Sequence, residues 1–232
     1  MFENSHVKIG AESEKFNEYK EFDFENGVKL IFRVLNDEPS LRFIDKDGKD
    51  LIDLMEFAKA GTTFELHPED KWEAKGDNKD GNYRIFLGKF NNAPEAILSF
   101  LHEAGHLNDF KTSYSAWEAV QKYSREVSED KDNAYPRKRL LAMARAKEAQ
   151  MKSERNAWAF AINKARDIER RLGISIFDKI GGEDNIAQKA KRFVDTYLGT
   201  YEKKYLDQLD SLDIYTKEEM EKFFEDLNIE AA

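Results

Sequence analysis

Hydrophobic residues recur with two different periods along this chain, and the change falls near residue 92. Before it, short runs alternate apolar and polar positions, the period of a strand with one buried face. Lys20–Phe24 and Val28–Leu35 flank Asn26-Gly27, a strong signal for a tight hairpin turn. In the second run Val28, Leu30, Phe32 and Val34 share one face. The pattern predicts a turn at Asp37-Glu38-Pro39, a strand over Leu41–Ile44 and a turn at Asp47-Gly48. Residues 50–59 have helical spacing and are expected to form a short helix. Strands are expected at Thr62–Leu66 and Tyr83–Leu87, with a charged loop over 68–81 between them.

Beyond residue 92 the period lengthens to that of helices. Asn92 or Ala93 before Pro94 marks a helix start, and residues 95–108 carry an apolar helical pattern. Ser113 or Ser115 is expected to cap a second helix running to about Ser128. A loop over 131–135 leads to Pro136, which opens a long helix that Gly173 ends after Leu172. Further helices are expected near 183–208 and 216–227. The resulting fold class is α+β, an antiparallel small sheet followed by helices. The expected organisation is one domain over 1–172, sheet-rich over 1–92 and helical over 93–172. A helical appendage over 173–232 is expected to pack on it.

Composition narrows the possibilities further. In 232 residues, 41% hydrophobic content with 17 Phe supplies a core despite 36% charged residues, so the chain is expected to fold. No cysteine is present, which removes disulfides, thiol catalysis and cysteine-ligated metals together. Charges interrupt every apolar run before the roughly 18 residues a membrane helix needs. The first residues, Met1–His6, show no secretory pattern, and a cytoplasmic location is the expectation. The net charge of −9 opposes general binding to nucleic acid. The segment 136–172 is the exception, with 11 Lys/Arg against 4 Asp/Glu.

The chemistry concentrates in Leu101-His102-Glu103-Ala104-Gly105-His106, an H-E-x-x-H pattern that roughly 1% of random chains of this length would hold. On a helix His102 and His106 lie about 40° apart, so both imidazoles can reach one zinc ion. Glu103, rotated about 100° from His102, stays off the metal and can take a proton from water beside it. The motif lies in a strongly apolar helix, where two His and a Glu are costly to bury without partners. No His follows His106, so a third ligand downstream must be a carboxylate. Glu154 is the first choice, because Met151, Ala157, Trp158 and Ala161 place it on an apolar stripe of the long helix. An ion pair of Glu154 with Arg155 or Arg145 is the competing role, and Glu118, Asp109 and Glu148 are the competing ligands. Asp109, on the same face as both His, is either an acceptor for a ring N–H or an ordinary exposed residue. Candidate oxyanion donors are Tyr114, Tyr135, Arg155 and His67, although His67 before Pro68 reads as a surface turn residue. The acidic turns Asp45–Asp50 and Asp77–Gly81 lack the glycine placement of a calcium loop.

Glu154-Arg-Asn-Ala157-Trp-Ala-Phe160-Ala161 reads E-x-x-A-x-x-F-A. Together with the upstream H-E-x-x-H helix after a short strand, it resembles the ImmA/IrrE-type zinc metallopeptidases over about residues 83–161. The resemblance implies one zinc ion on His102, His106 and Glu154, with Glu103 as general base. It implies hydrolysis of peptide bonds in a protein or peptide substrate. The interval between His106 and Glu154 is longer than is usual there, and no helix-turn-helix is visible. The alternative expectation is a non-catalytic, metal-containing binding module that engages an acidic protein or nucleic acid through the basic helix 137–171.

Overall fold

The computed structural model describes residues 16–69, 71–76, 81–129, 136–182, 184–186 and 188. Its N-terminal part is a meander of four antiparallel strands: β1 (Phe16–Asp23), β2 (Lys29–Leu35), β3 (Glu38–Ile44) and β4 (Asp50–Asp53). Asn26 and Gly27 turn the first hairpin with φ of 59° and 72°, a region these two residue types tolerate. Val28, just before β2, and Leu30, Phe32 and Val34 on its inner face are buried together, as their period requires. The next turn sits one residue earlier than expected, on Asn36 and Asp37, both at positive φ. Pro39 therefore belongs to β3, paired with Val34. That pair follows the hydrogen-bonded Leu35–Glu38 pair that closes a two-residue turn, so the ladder asks no N–H of it.

Two further expectations are corrected. Asp50–Asp53 is a strand rather than the start of a helix, and only Leu54–Phe57 coils, as a 3-10 turn capped by the Asp53 carboxylate on Met55 N. Ile52 pairs with Phe43 and is buried like Leu54, so a period of two governs this stretch. The charged stretch 68–81 contains a strand as well. A second sheet has the order β5 (Thr62–Leu66), β7 (Tyr83–Leu87), β6 (Glu73–Gly76), with β5 parallel and β6 antiparallel to β7. His67 sits at the turn that follows β5, as expected, although its side chain is largely covered. Its side chain is 9% exposed, with Nδ1 accepting from Glu69 N and Nε2 facing Glu73.

Three helices follow: α1 (Ala93–Asn108), α2 (Phe110–Glu129) and α3 (Pro136–Leu172). Eleven of the sixteen α1 residues are buried, so this helix is covered nearly all round. Asn92 starts it by accepting from Glu95 N at 2.8 Å, with Pro94 in the first turn. The start of α2 differs from expectation: the helix begins directly after Asp109, and Ser113 and Ser115 lie inside it. α3 has the bounds its Pro136 and Gly173 announce, and Gly173 ends it at φ 63°.

The core joins the meander's inner face, β7, α1 and the alanine stripe Ala161, Ala165 and Ile168 of α3. It continues past Leu172 through Ile174, Ile176 and Phe177, all buried. Cations of α3 such as Lys152, Arg155, Arg166 and Arg170 are exposed. No helix among the described residues is long and apolar enough to cross a membrane. The helices expected near 183–208 and 216–227, and Tyr135, lie essentially outside the described residues.

Candidate metal centre

The centre depends on how closely α1 and α3 approach. Gly105, between the two histidines of α1, has no side chain, and a Cβ there would stand 2.9 Å from both Cα and O of Ala157. Ala157 and Ala161 on α3 are themselves almost fully buried. Small residues on both helices thus let the backbones meet. Glu154 lies one turn before Ala157, so the contact brings its carboxylate to the histidine face of α1.

The resulting distances are short. His102 Nε2 and His106 Nε2 are 3.1 Å apart. Glu154 Oε2 is 3.3 Å from His102 Nε2, and Oε1 is 3.5 Å from His106 Nε2. Ligands bound to one ion at about 2.0–2.2 Å in tetrahedral geometry stand about 3–3.5 Å apart. The three side chains therefore already have the spacing of a metal site, and their ligand atoms all lie within 4.8 Å of one another. Glu154 Oε2 is buried and has no hydrogen-bond donor. A buried carboxylate oxygen without a donor is expensive, and a cation would cancel that cost. The donor set fits a divalent ion of the borderline type that imidazole prefers.

His106 is oriented from behind. Its Nδ1 lies 3.2 Å from Ser153 Oγ and 3.3 Å from Ser113 Oγ. Ser153 donates to Ser113 Oγ at 3.1 Å, and Ser113 donates to the His106 carbonyl at 3.0 Å. With both hydroxyl protons committed, the serines accept, so Nδ1 carries the ring proton and Nε2 presents a lone pair. His102 is held differently, by Trp158, whose ring lies 4.5 Å from its own. His102 Nδ1 is buried without a partner.

Charge in the pocket is displaced from solution behaviour. Burial raises the Glu103 carboxyl to about 7; the charge of Glu154 adds to this, while His102 and a hydrogen bond from the Ala74 backbone oppose it. His106 is lowered to about 4, chiefly by burial and by His102. Burial pushes Glu154 upward, but the close approach of His102 and His106, with Nε2 of His102 3.3 Å from Oε2, prevails and its carboxyl is lowered overall.

Of the residues singled out from sequence, His102, His106 and Glu154 converge, and Glu103 stands beside them against β6. Arg155 is exposed and makes no ion pair with Glu154, and Glu118 is exposed on α2. The Glu148 side chain lies outside the described residues. Asp109 takes neither expected role: its carboxylate accepts from Asn156 Nδ2 at 2.6 Å and from Thr112. It joins α1, α2 and α3 at the break between the first two helices. Ser153 was not apparent beforehand, although a 6% exposed serine four residues before Ala157 continues the alanine stripe. Compared with family models, with curated proteins and with solved structures, the chain matches none.

Proposed function

We propose that this chain is a zinc-dependent metallopeptidase of the ImmA/IrrE type, with His102, His106 and Glu154 as the metal ligands and Glu103 as general base. The observation that carries the reading is the convergence of two imidazole nitrogens and one carboxylate at 3.1–3.5 Å, with Glu103 electrostatically coupled to His102 and Glu154. Two histidines and a glutamate form a catalytic zinc set that leaves a position for water or substrate. The E-x-x-A-x-x-F-A residues support it too, since Ala157 and Phe160 are the α3 residues that crowd Gly105. When bound, zinc supplies Lewis-acid polarisation of a carbonyl and makes water acidic enough to ionise near neutrality.

The chain's own residues supply the rest. Glu103, with a carboxyl near 7, takes the proton from the attacking water and returns it to the departing amine nitrogen. Its backbone partner Ala74 anchors the carboxylate against β6, and burial keeps its basicity high. The serine pair holds His106 in the tautomer a ligand needs. The same two-histidine, one-carboxylate set can hold iron. Glu103, a buried carboxyl whose charge couples to His102 and Glu154, is the feature that favours peptidase chemistry.

The test is metal analysis and peptide turnover on purified protein. Wild type should hold one zinc per chain, and Glu154→Ala or His106→Ala should lose stoichiometric metal. Glu103→Gln should retain the metal while turnover of a peptide library falls roughly 10²–10⁴-fold. Full zinc in Glu154→Ala, or undiminished cleavage by Glu103→Gln, would overturn the assignment.

A further inference from the structure

Beside the end of β6 stand two polar donors that the metal centre leaves unused, Lys59 just before β5 and Tyr83 at the start of β7. Lys59 Nζ donates to Tyr83 Oη at 2.7 Å and lies 4.1 Å from the Tyr83 ring centroid and 5.2 Å from that of Phe110. Among the described residues no carboxylate lies within 4.0 Å of this ammonium. The Tyr83 hydroxyl accepts from Lys59, and among the described residues nothing accepts its own proton. A lysine that meets no described carboxylate is notable in a chain where 46 Asp and Glu outnumber 37 Lys and Arg. The two rings hold the ammonium in place by cation–π attraction. What remains is two adjacent donors that no described residue receives, a match for the two oxygens of a carboxylate.

Their position ties them to the metal centre. Tyr83 pairs with Gly76, the last residue of β6, and a Cβ on Gly76 would overlap the Phe110 ring. Phe110 itself follows His106 by four residues. Two residues back along β6, the Ala74 backbone meets the Glu103 carboxylate. Two strand residues span about 6.6 Å. The donor pair therefore lies at the end of the strand that passes Glu103.

We propose that Lys59 and Tyr83 form a carboxylate-binding subsite for a peptide held at the metal centre. They would take the carboxylate about two or three residues from the bond that is cleaved. This rests on the metallopeptidase reading above. The carboxylate is either the C-terminus of the peptide or an Asp or Glu side chain, and the chemistry recognised is the same.

The test uses N-acetylated hexapeptides with Gln replaced by Glu at one position at a time, each made as free acid and as C-terminal amide. For each enzyme the quantity read is the ratio of kcat/KM between the acidic peptide and its neutral twin. Wild type should favour the acidic peptide about tenfold, chiefly through KM, at one position or at the terminus. The position shows whether a side chain or the terminal carboxylate is bound. The ratio should fall to near one in Lys59→Met and about threefold in Tyr83→Phe, which keeps the ring and its packing. A wild-type ratio near one throughout, or a ratio unchanged in Lys59→Met, overturns the proposal. Should wild type cleave no peptide, the peptidase reading fails, and the same peptides are titrated by fluorescence anisotropy. Tighter binding of acidic peptides that is lost in Lys59→Met then supports the subsite by itself, and equal binding overturns it.

Discussion

Ser153 shows how one buried hydroxyl can orient a candidate metal ligand. Its Oγ stands 3.2 Å from His106 Nδ1 and donates to Ser113, which donates in turn to the His106 carbonyl. Removing the hydroxyl leaves Ser113 alone, at 3.3 Å, to receive the ring proton. Ser153→Ala is therefore expected to weaken metal binding about 10–100-fold, as loss of such a partner does elsewhere, with little loss of fold. Competition with a chelator of known affinity measures it. An affinity equal to wild type would show that Ser113 suffices. Asp109, on the histidine face of a helical wheel, does not take that role: its carboxylate turns to Asn156 and Thr112, and the two serines meet His106 Nδ1 instead. A wheel gives direction within one helix. It carries no information on which groups of α2 and α3 reach the same carboxylate first.

Between elements, the decisive contact is that of α1 with α3, and Gly105 is its narrowest point. Alanine at this position gains about 1 kcal/mol of helix propensity. Against this, its Cβ would stand 2.9 Å from backbone atoms of Ala157, which cannot rotate away. Overpacking of this kind costs about 1–3 kcal/mol, so the clash outweighs the gain. Gly105→Ala should lower the melting temperature and also weaken metal binding, because the displaced helix carries Glu154. A variant with unchanged melting temperature and metal affinity would show that the helices have room to separate. Elements whose ends are chemically marked were readable from sequence: Asn26-Gly27, Asn92-Ala-Pro94, and the Pro136 to Gly173 span. β6 was not, because its residues Glu73–Gly76 are polar or small and it owes its existence to pairing with β7. The stretch 50–53 misled for a related reason. Four residues satisfy both periods, and the pairing of Ile52 with Phe43 decides between them. Glu154 was legible because a carboxylate on an alanine stripe calls for a partner, whereas Ser153 is small and neutral enough to pass as part of the stripe.

At the scale of the whole molecule, the first hairpin is fastened to the chain that leaves α3. Asn26 Nδ2 donates to the Gly173 carbonyl at 2.7 Å, across 147 positions of sequence. Beside it, Glu25 accepts from Ser175 N at 3.0 Å and faces Lys179 Nζ at 3.3 Å. The clasp closes a circuit from the sheet through the core to the end of the helix that carries Glu154. Burial tends to raise the Glu25 carboxyl, but the Ser175 N–H and the Lys179 charge outweigh it and hold the carboxyl below its ordinary range. The sign follows from linkage. Where a carboxylate is favoured in the folded state, the unfolded chain binds its proton first as pH falls. The contribution of Glu25 is thus fully present above about pH 4.5, its ordinary value, and is lost as pH drops through the lower folded value. The side chain is 46% exposed, so the effect should be a modest one that salt screens. Melting temperatures of wild type and Glu25→Gln, measured from pH 7 down to pH 3, should differ most at neutral pH and converge at the acid end. Added salt should narrow the neutral-pH gap. A gap of the same size at every pH would assign the effect to the shape of the side chain and not to its charge, and the electrostatic account of this clasp would fall.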